Sequence, residues 1–232
     1  MANSARNTPG VERPSSNIED ISPLDNITVA YEKNKTMISY VLSAVIVIVG
    51  GYLAYTKLYK GPAEEKAFTQ LAIPQMYYQA DSMNLALNGD GGHPGFVKIE
   101  KNYSGTAAGN LALYYEGVAY LKTGEFKKAI KALSEFDGKG TVLATQAYGM
   151  LGMAYMETQD KKNAIESFKK ATANKEDGLV TPMYLYQLGL AYEADGKTAE
   201  AKETFKRIRD EYPRSANARD MDKELAKLGE LN

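Results

Sequence analysis

The 232-residue sequence contains no cysteine and a single histidine, His93. Without cysteine there are no disulfides, thiolate metal sites or cysteine nucleophiles. One histidine excludes a histidine-rich metal centre and a mechanism that needs two imidazoles. An excess of charge of either sign is also missing: 28 basic residues stand against 29 acidic ones, a formal net charge of −1. That balance argues against nucleic-acid binding by bulk electrostatics. The cysteine count does not assign a redox compartment. The length allows one or two domains with a sizeable core.

The mean hydropathy of −0.40 averages three unlike segments. Residues 1–35 hold no long apolar run and carry Pro9, Pro14 and Pro23 among Ser and Asn, with 4 basic and 5 acidic side chains. They read as a partly disordered tail. Ser22-Pro23-Leu24-Asp25 also carries the signals of a helix start, with Ser22 as N-cap and Pro23 in the first turn. Both readings of this tail stand. Thr36–Thr56 then runs 21 residues without a charge, which as a helix would span about 31 Å, enough for a bilayer core. Tyr40, Tyr52 and Tyr55 lie near its ends and Lys33, Lys35, Lys57 and Lys60 flank it, the side chains suited to membrane–water interfaces. Residues 36–57 are therefore expected to be a transmembrane helix in contact with the lipid bilayer. The run is too long and too uniformly apolar for an ordinary core helix, and no signal-peptidase-like site follows it. With lysines on both sides, the positive-inside rule does not choose an orientation. A short tail, one span and a large C-terminal part together fit a signal anchor, which would put the C-terminal part outside the cytoplasm.

Beyond the span, 24 basic and 24 acidic residues remain, and the sequence repeats itself. Leu113, Gly117, Tyr120, Ala129 and Leu133 recur as Tyr148, Gly152, Tyr155, Ala164 and Phe168, and again as Leu185, Gly189, Tyr192, Ala201 and Phe205. The pivotal glycines are 35 and 37 residues apart. This pattern resembles the tetratricopeptide repeat, a helix–turn–helix unit of about 34 residues. Small residues at the glycine and alanine positions let paired helices approach closely, and the aromatic and leucine positions fill the wedge between them. Gly124, Gln159-Asp160 and Gly196 mark the turns, and Thr181-Pro182 is expected to start the third unit as N-cap and first-turn proline. The expected fold is all-α: a single N-terminal transmembrane helix followed by a tetratricopeptide-repeat helical solenoid.

A degenerate unit precedes the regular ones. Phe96, Ile99 and Tyr103 repeat the spacing of Phe205, Ile208 and Tyr212, a second-helix pattern, and its first helix is expected within Glu64–Leu87 with a bend at Pro74. Ala218, Met221, Leu225 and Leu228 recur at helical spacing after Pro213, as in a capping helix. The expected organisation is a tail at 1–35, a span at 36–57, a helical linker and degenerate first repeat at 58–106, three repeats at 107–214 and a capping helix at 215–232.

Chemistry is hard to find. The glycine-rich stretch Gly89–Gly95 has no Lys-Ser or Lys-Thr ending and no preceding strand, so it is not a phosphate loop. Asp90 and His93 are too few to hold a metal in a flexible turn. Glu64-Glu65 reads as the acidic first turn of a helix after Pro62, and no nucleophile motif occurs. The sequence predicts no enzyme, no catalytic or metal-ligating residues and no cofactor. It predicts a binding protein.

In such a solenoid the first helices line the concave face. Counting from Asn110, Thr145 and Pro182, the inward positions are Leu111, Tyr114, Val118 and Leu121, then Gln146, Gly149, Met153 and Met156, then Met183, Tyr186, Leu190 and Glu193. The candidate partner-binding residues are Leu111, Tyr114, Val118, Leu121, Met153, Met156, Met183, Tyr186 and Leu190. This apolar face, with adaptable methionines and amphipathic tyrosines, suits an apolar or amphipathic protein segment. The alternative is that several of these side chains cover one another, or cover Lys122 and the C-terminal helix.

The combination of tail, single span, helical linker and small repeat domain, with the stretch Phe96–Tyr120, FVKIEKNYSGTAAGNLALYYEGVAY, resembles the ancillary SecYEG translocon subunit (YfgM-type) family. The resemblance covers about Lys33 to the C-terminus; the proline-containing tail and the Gly89–Gly95 loop have no place in its pattern. It implies a single-pass protein of the bacterial inner membrane, N-terminus cytoplasmic and repeat domain periplasmic. It also implies protein partners: the SecYEG channel, a membrane-anchored periplasmic peptidyl-prolyl isomerase-type chaperone, and exported chains. The implied function is an adaptor or co-chaperone at the translocon exit. Two alternatives remain: a structural scaffold of another envelope complex, such as a secretion or division machine, and a cytoplasm-facing receptor.

Overall fold

The computed structural model describes residues 23–173 and 178–230, with side chains from Tyr31 onward. The chain divides into two units, Met1–Tyr55 and Thr56–Asn232.

Within the described part of the first unit lies one long helix, α1, Pro23–Ala54. Residues 23–35, read above as tail, are helical and run without a break into the apolar stretch; Ser22 itself lies outside the described residues. No proline or glycine interrupts the sequence from Leu24 to Val49, and Lys35 pairs with Glu32 one turn back at 2.9 Å. Every side chain from Tyr31 to Ala54 is exposed, including Val41, Leu42, Ile46, Val47 and Ile48. Among the described residues this is the one stretch of helix long and apolar enough to cross a membrane. A π-helical turn, Tyr55–Lys60, follows in the chain.

In the second unit, α2 (Gly61–Gln79) and α3 (Met83–Asn88) pack with α4 (Phe96–Tyr103) and α5 (Ala107–Lys122). The helix continues through Pro74, which is buried inside α2, and ends five residues later at Gln79. The turn after this helix comes at Asp81, whose φ of 56° places it in the left-handed region. The side chains of Ala67, Leu71, Phe96, Ile99, Ala108 and Ala112 make the core of this end, with Phe96 stacked on Tyr115 at 5.2 Å.

Three helical pairs follow: α5 with α6 (Phe126–Glu135), α7 (Leu143–Glu157) with α8 (Lys161–Ala171), and α9 (Val180–Ala194) with α10 (Thr198–Glu211). The pivotal glycines are contact points: a methyl on Gly117 would lie 2.5 Å from Leu133 Cγ, one on Gly152 2.6 Å from Phe168 Cε1, and one on Gly189 2.2 Å from Phe205 Cε1. Each helix pair can therefore close only where a side chain is missing. The turns use left-handed residues at the expected places, Gly124 (φ 77°), Gln159 (φ 61°) and Gly196 (φ 75°). One start differs from expectation: α9 begins at Val180, so Thr181 is inside the first turn and fully buried, and the N-cap is Leu179. A short 3₁₀ turn (Asn217–Asp220) and α11 (Met221–Lys227) close the unit, with Met221 and Leu225 buried against α9 and α10. Among the described residues there is no strand beyond a single bridge between Gly89 and Pro94.

Candidate partner-binding surface

Capping side chains and polar clamps hold the first helices in register. Thr106 caps α5, its hydroxyl oxygen accepting the N–H of Gly109 at 2.9 Å. A second acceptor arrives from far along the chain: the Glu64 carboxylate takes the N–H groups of Ala107 and Ala108, both at 2.7 Å. An anion at a helix N-terminus is where the helix dipole favours it. The sequence suggested only that Glu64 belongs to the acidic first turn of its own helix; nothing local signals a partner 43 residues away. Asn110 and Asp137 exchange hydrogen bonds of 2.8 Å in both directions, the Asn110 amide donating to the Asp137 carbonyl and the Asp137 N–H to the Asn110 amide oxygen.

The inward positions are distributed unevenly. Tyr114 and Val118 are buried, at 6% and 3% exposure, in a cluster with Leu133, Ala147 and Leu151. The Tyr114 hydroxyl donates to Gln146 Oε1 at 2.8 Å, joining the first and second pairs, and burial raises its pKa. Leu111 is half-buried against α2 and α4, and Leu121 against Met83, Leu87 and Ala119. Met153, Met156, Tyr186 and Leu190 are half-buried on one cluster centred on Phe168, Tyr184, Leu185 and Phe205. Met183 is exposed, at 40%. The structure thus brings Met153, Met156, Tyr186 and Leu190 onto a common apolar base, while Tyr114 and Val118 pack inside the domain.

Tyr184 is the residue that sequence reasoning missed. It is 1% exposed, and its ring occupies the space left by Gly149, where a methyl would fall 2.0 Å from Tyr184 Cζ. Burial pushes its hydroxyl up to about 12. The signal was a size swap: the other units carry Ala112 and Ala147 where the third carries Tyr184, and the second unit offers a glycine to receive it. At the far end, α11 places Met221 and Leu225 in the same cluster, with Leu228 packed against it, and Lys227 is held by Glu224 at 2.8 Å, so the last helix flanks the apolar base.

Among the described residues no group of three or more His, Asp or Glu side chains is placed to hold a metal. Asp90 is engaged by α2 and by its own loop: it accepts the Tyr77 hydroxyl at 2.7 Å and the N–H groups of His93 and Gly92 at 2.6 and 2.9 Å. The Tyr77 hydroxyl and the His93 donors hold its carboxyl below the usual range.

Helix pairs joined by left-handed turns, each closed over a glycine, recur at residues 111–137, 145–177 and 184–215, the segments that match tetratricopeptide repeat models. These three segments are tetratricopeptide repeats. Such repeats indicate protein partners, and proteins built from them are typically scaffolds without catalysis. Among solved structures, the chain is similar to a Podosopora anserina protein described as a kinesin light chain with nearly identical TPR-like repeats. That structure is 17% identical with a TM-score of 0.55, over 71% of this chain and 85% of the other. It is also similar to MamA, 23% identical with a TM-score of 0.50, over 86% of this chain and 98% of that one. At such identities the likeness concerns the fold alone. No curated protein is similar enough in sequence to count as a relative.

Proposed function

We propose that the protein is a membrane-anchored adaptor that holds a protein partner against the concave side of its repeat domain. The observation that carries this reading is the pairing of an exposed, uncharged helical stretch, Thr36–Ala54, with tetratricopeptide repeats on one chain. An anchor confines the domain to the membrane surface and raises its effective concentration there, so that even modest affinity suffices. The apolar base under Met153, Met156, Tyr186 and Leu190, with Met183 exposed beside Tyr184 in the chain, supports an apolar or amphipathic segment as the bound element. In the finer reading, the anchor lies in the bacterial inner membrane, the repeats face the periplasm, and the partners are the SecYEG channel, a peptidyl-prolyl isomerase-type chaperone and emerging chains. This rests on the architecture shared with the YfgM-type subunits.

Purification of the full-length chain from native membranes in mild detergent tests it. Co-elution of the translocon is expected; its absence, with another envelope complex in its place, overturns the finer reading. The double variant M156E/M183E is expected to lose at least about tenfold of partner capture while keeping its helical content. Unchanged capture would sink the role of this face. An alkaline-phosphatase fusion at Asn232 is expected to be active, and an inactive but stable fusion would place the repeats in the cytoplasm.

A further inference from the structure

Glu116 stands immediately before the pivotal Gly117 of the first repeat. The same place in the second and third repeats is held by Leu151 and Leu188, 8% and 4% exposed. Each of these leucines lines the cleft where the first helix of a repeat meets the second helices on either side. The first repeat therefore sets a carboxyl in a wedge that its sister repeats fill with hydrocarbon. Its Oε2 is buried and, among the described residues, is the buried side-chain atom left without a hydrogen-bond partner. Such an oxygen carries most of its desolvation cost uncompensated when ionised.

The surroundings do not supply the missing charge. The cleft, about 370 Å³, receives Glu100 and Lys101 from α4, Tyr120 from α5, and Lys128, Lys131 and Glu135 from α6. Lys128 is drawn away into an ion pair with Glu125 and lies over the Tyr120 ring at 5.0 Å. Glu100 and Glu135 oppose a negative charge on Glu116, Lys131 and Lys128 favour one, and burial outweighs them all.

We propose that Glu116 makes the wedge between α4, α5 and α6 a pH-responsive joint, closed around the neutral carboxylic acid and loosened when the carboxylate forms. Burial lifts the Glu116 carboxyl to about 7. Between the ordinary glutamate range and pH 7 the folded protein holds a proton that the unfolded chain has released. Stability therefore falls as pH rises through this window and levels off above it. The joint lies at the boundary between the degenerate helical pair and the first regular repeat, so its loosening acts where α4 meets α5, without touching the second and third repeats.

The test compares thermal unfolding of the full-length chain in detergent micelles at pH 5.5 and pH 8.0, for the wild type, E116Q and E116L. The wild-type midpoint is expected to fall by about 2–5 °C more than that of E116Q over this interval. E116L, which installs the sister residue, is expected to remove the same dependence and raise the midpoint at pH 8.0. A constant difference between wild type and both variants at the two pH values overturns the proposal. A carboxyl ¹³C titration of Glu116 in the unmutated protein provides a second readout: an inflection between pH 6 and 8 supports the joint, and one between pH 4 and 5 refutes it.

Discussion

Replacing Gly189 by alanine sets two effects of opposite sign against each other. Alanine in a helix interior is favoured over glycine by about 1 kcal/mol, because glycine loses more backbone freedom on folding. Against this, the new methyl would lie 2.2 Å from Cε1 of Phe205, 2.7 Å from Cζ and 2.8 Å from Cδ1, where ordinary contact begins at 3.4 Å. The ring edge would have to retreat by roughly 1.2 Å, the difference of those two distances. It has no room to do so: Phe205 is fully buried, with Leu185, Ala201 and Ile208 equally buried in its cluster. Overpacking of this kind costs about 1–3 kcal/mol, so the steric term wins and the net loss is expected near 1 kcal/mol. Urea unfolding of the full-length chain in micelles, followed by helical circular dichroism, measures it as a lower midpoint at unchanged slope. Phe205→Leu removes the two nearest ring atoms, so G189A should cost less than half as much in that background. Equal cost in both backgrounds, within about 0.5 kcal/mol, would refute the claim that ring contact decides the matter. A G189A variant more stable than the parent would show that backbone propensity governs the site.

Two further outcomes rest on polar and backbone geometry. Glu64→Ala strips both acceptors from the first turn of α5 and is expected to cost about 1–2 kcal/mol. Hydrogen exchange should rise at Ala107 and Ala108, and unchanged exchange there would show that the clamp is not formed in solution. Gln159→Gly relieves a left-handed residue at φ 61° and is expected to stabilise by about 0.5–1 kcal/mol. A lower unfolding midpoint would mean that the Gln159 side chain contributes more than its backbone conformation costs.

The repeats were legible because their information is local and periodic. The glycine at each pivot and the left-handed turn belong to one helical pair, so spacing alone reveals them. The apolar run at Thr36–Thr56 was legible for the same reason, since hydropathy needs no partner. What the sequence withheld was information shared between distant elements. Pro74 sits buried within α2, and the turn after that helix comes at Asp81, whose left-handed conformation no residue-type rule demanded. Which of the counted inward positions stay open depends on neighbours: Tyr114 finds Gln146 from the next repeat, and Tyr184 fills the gap above Gly149. The Glu64 carboxylate shows the limit most clearly, because its two partners lie 43 and 44 residues downstream.

That clamp also sets an order of events. A chain synthesised at about 5–20 residues per second presents Glu64 roughly 2–9 s before Ala107 follows it out of the ribosome. Until then the carboxylate is an unclaimed surface anion, and the helices that open the domain lack the contact that fastens them to the first repeat. The N-terminal end of the solenoid is thus sealed from behind, by a helix that does not yet exist when its own is made. A nascent chain halted before residue 107 would display α2, α3 and α4 without their dock, and the completed α5 would be the step that fastens them to the first repeat.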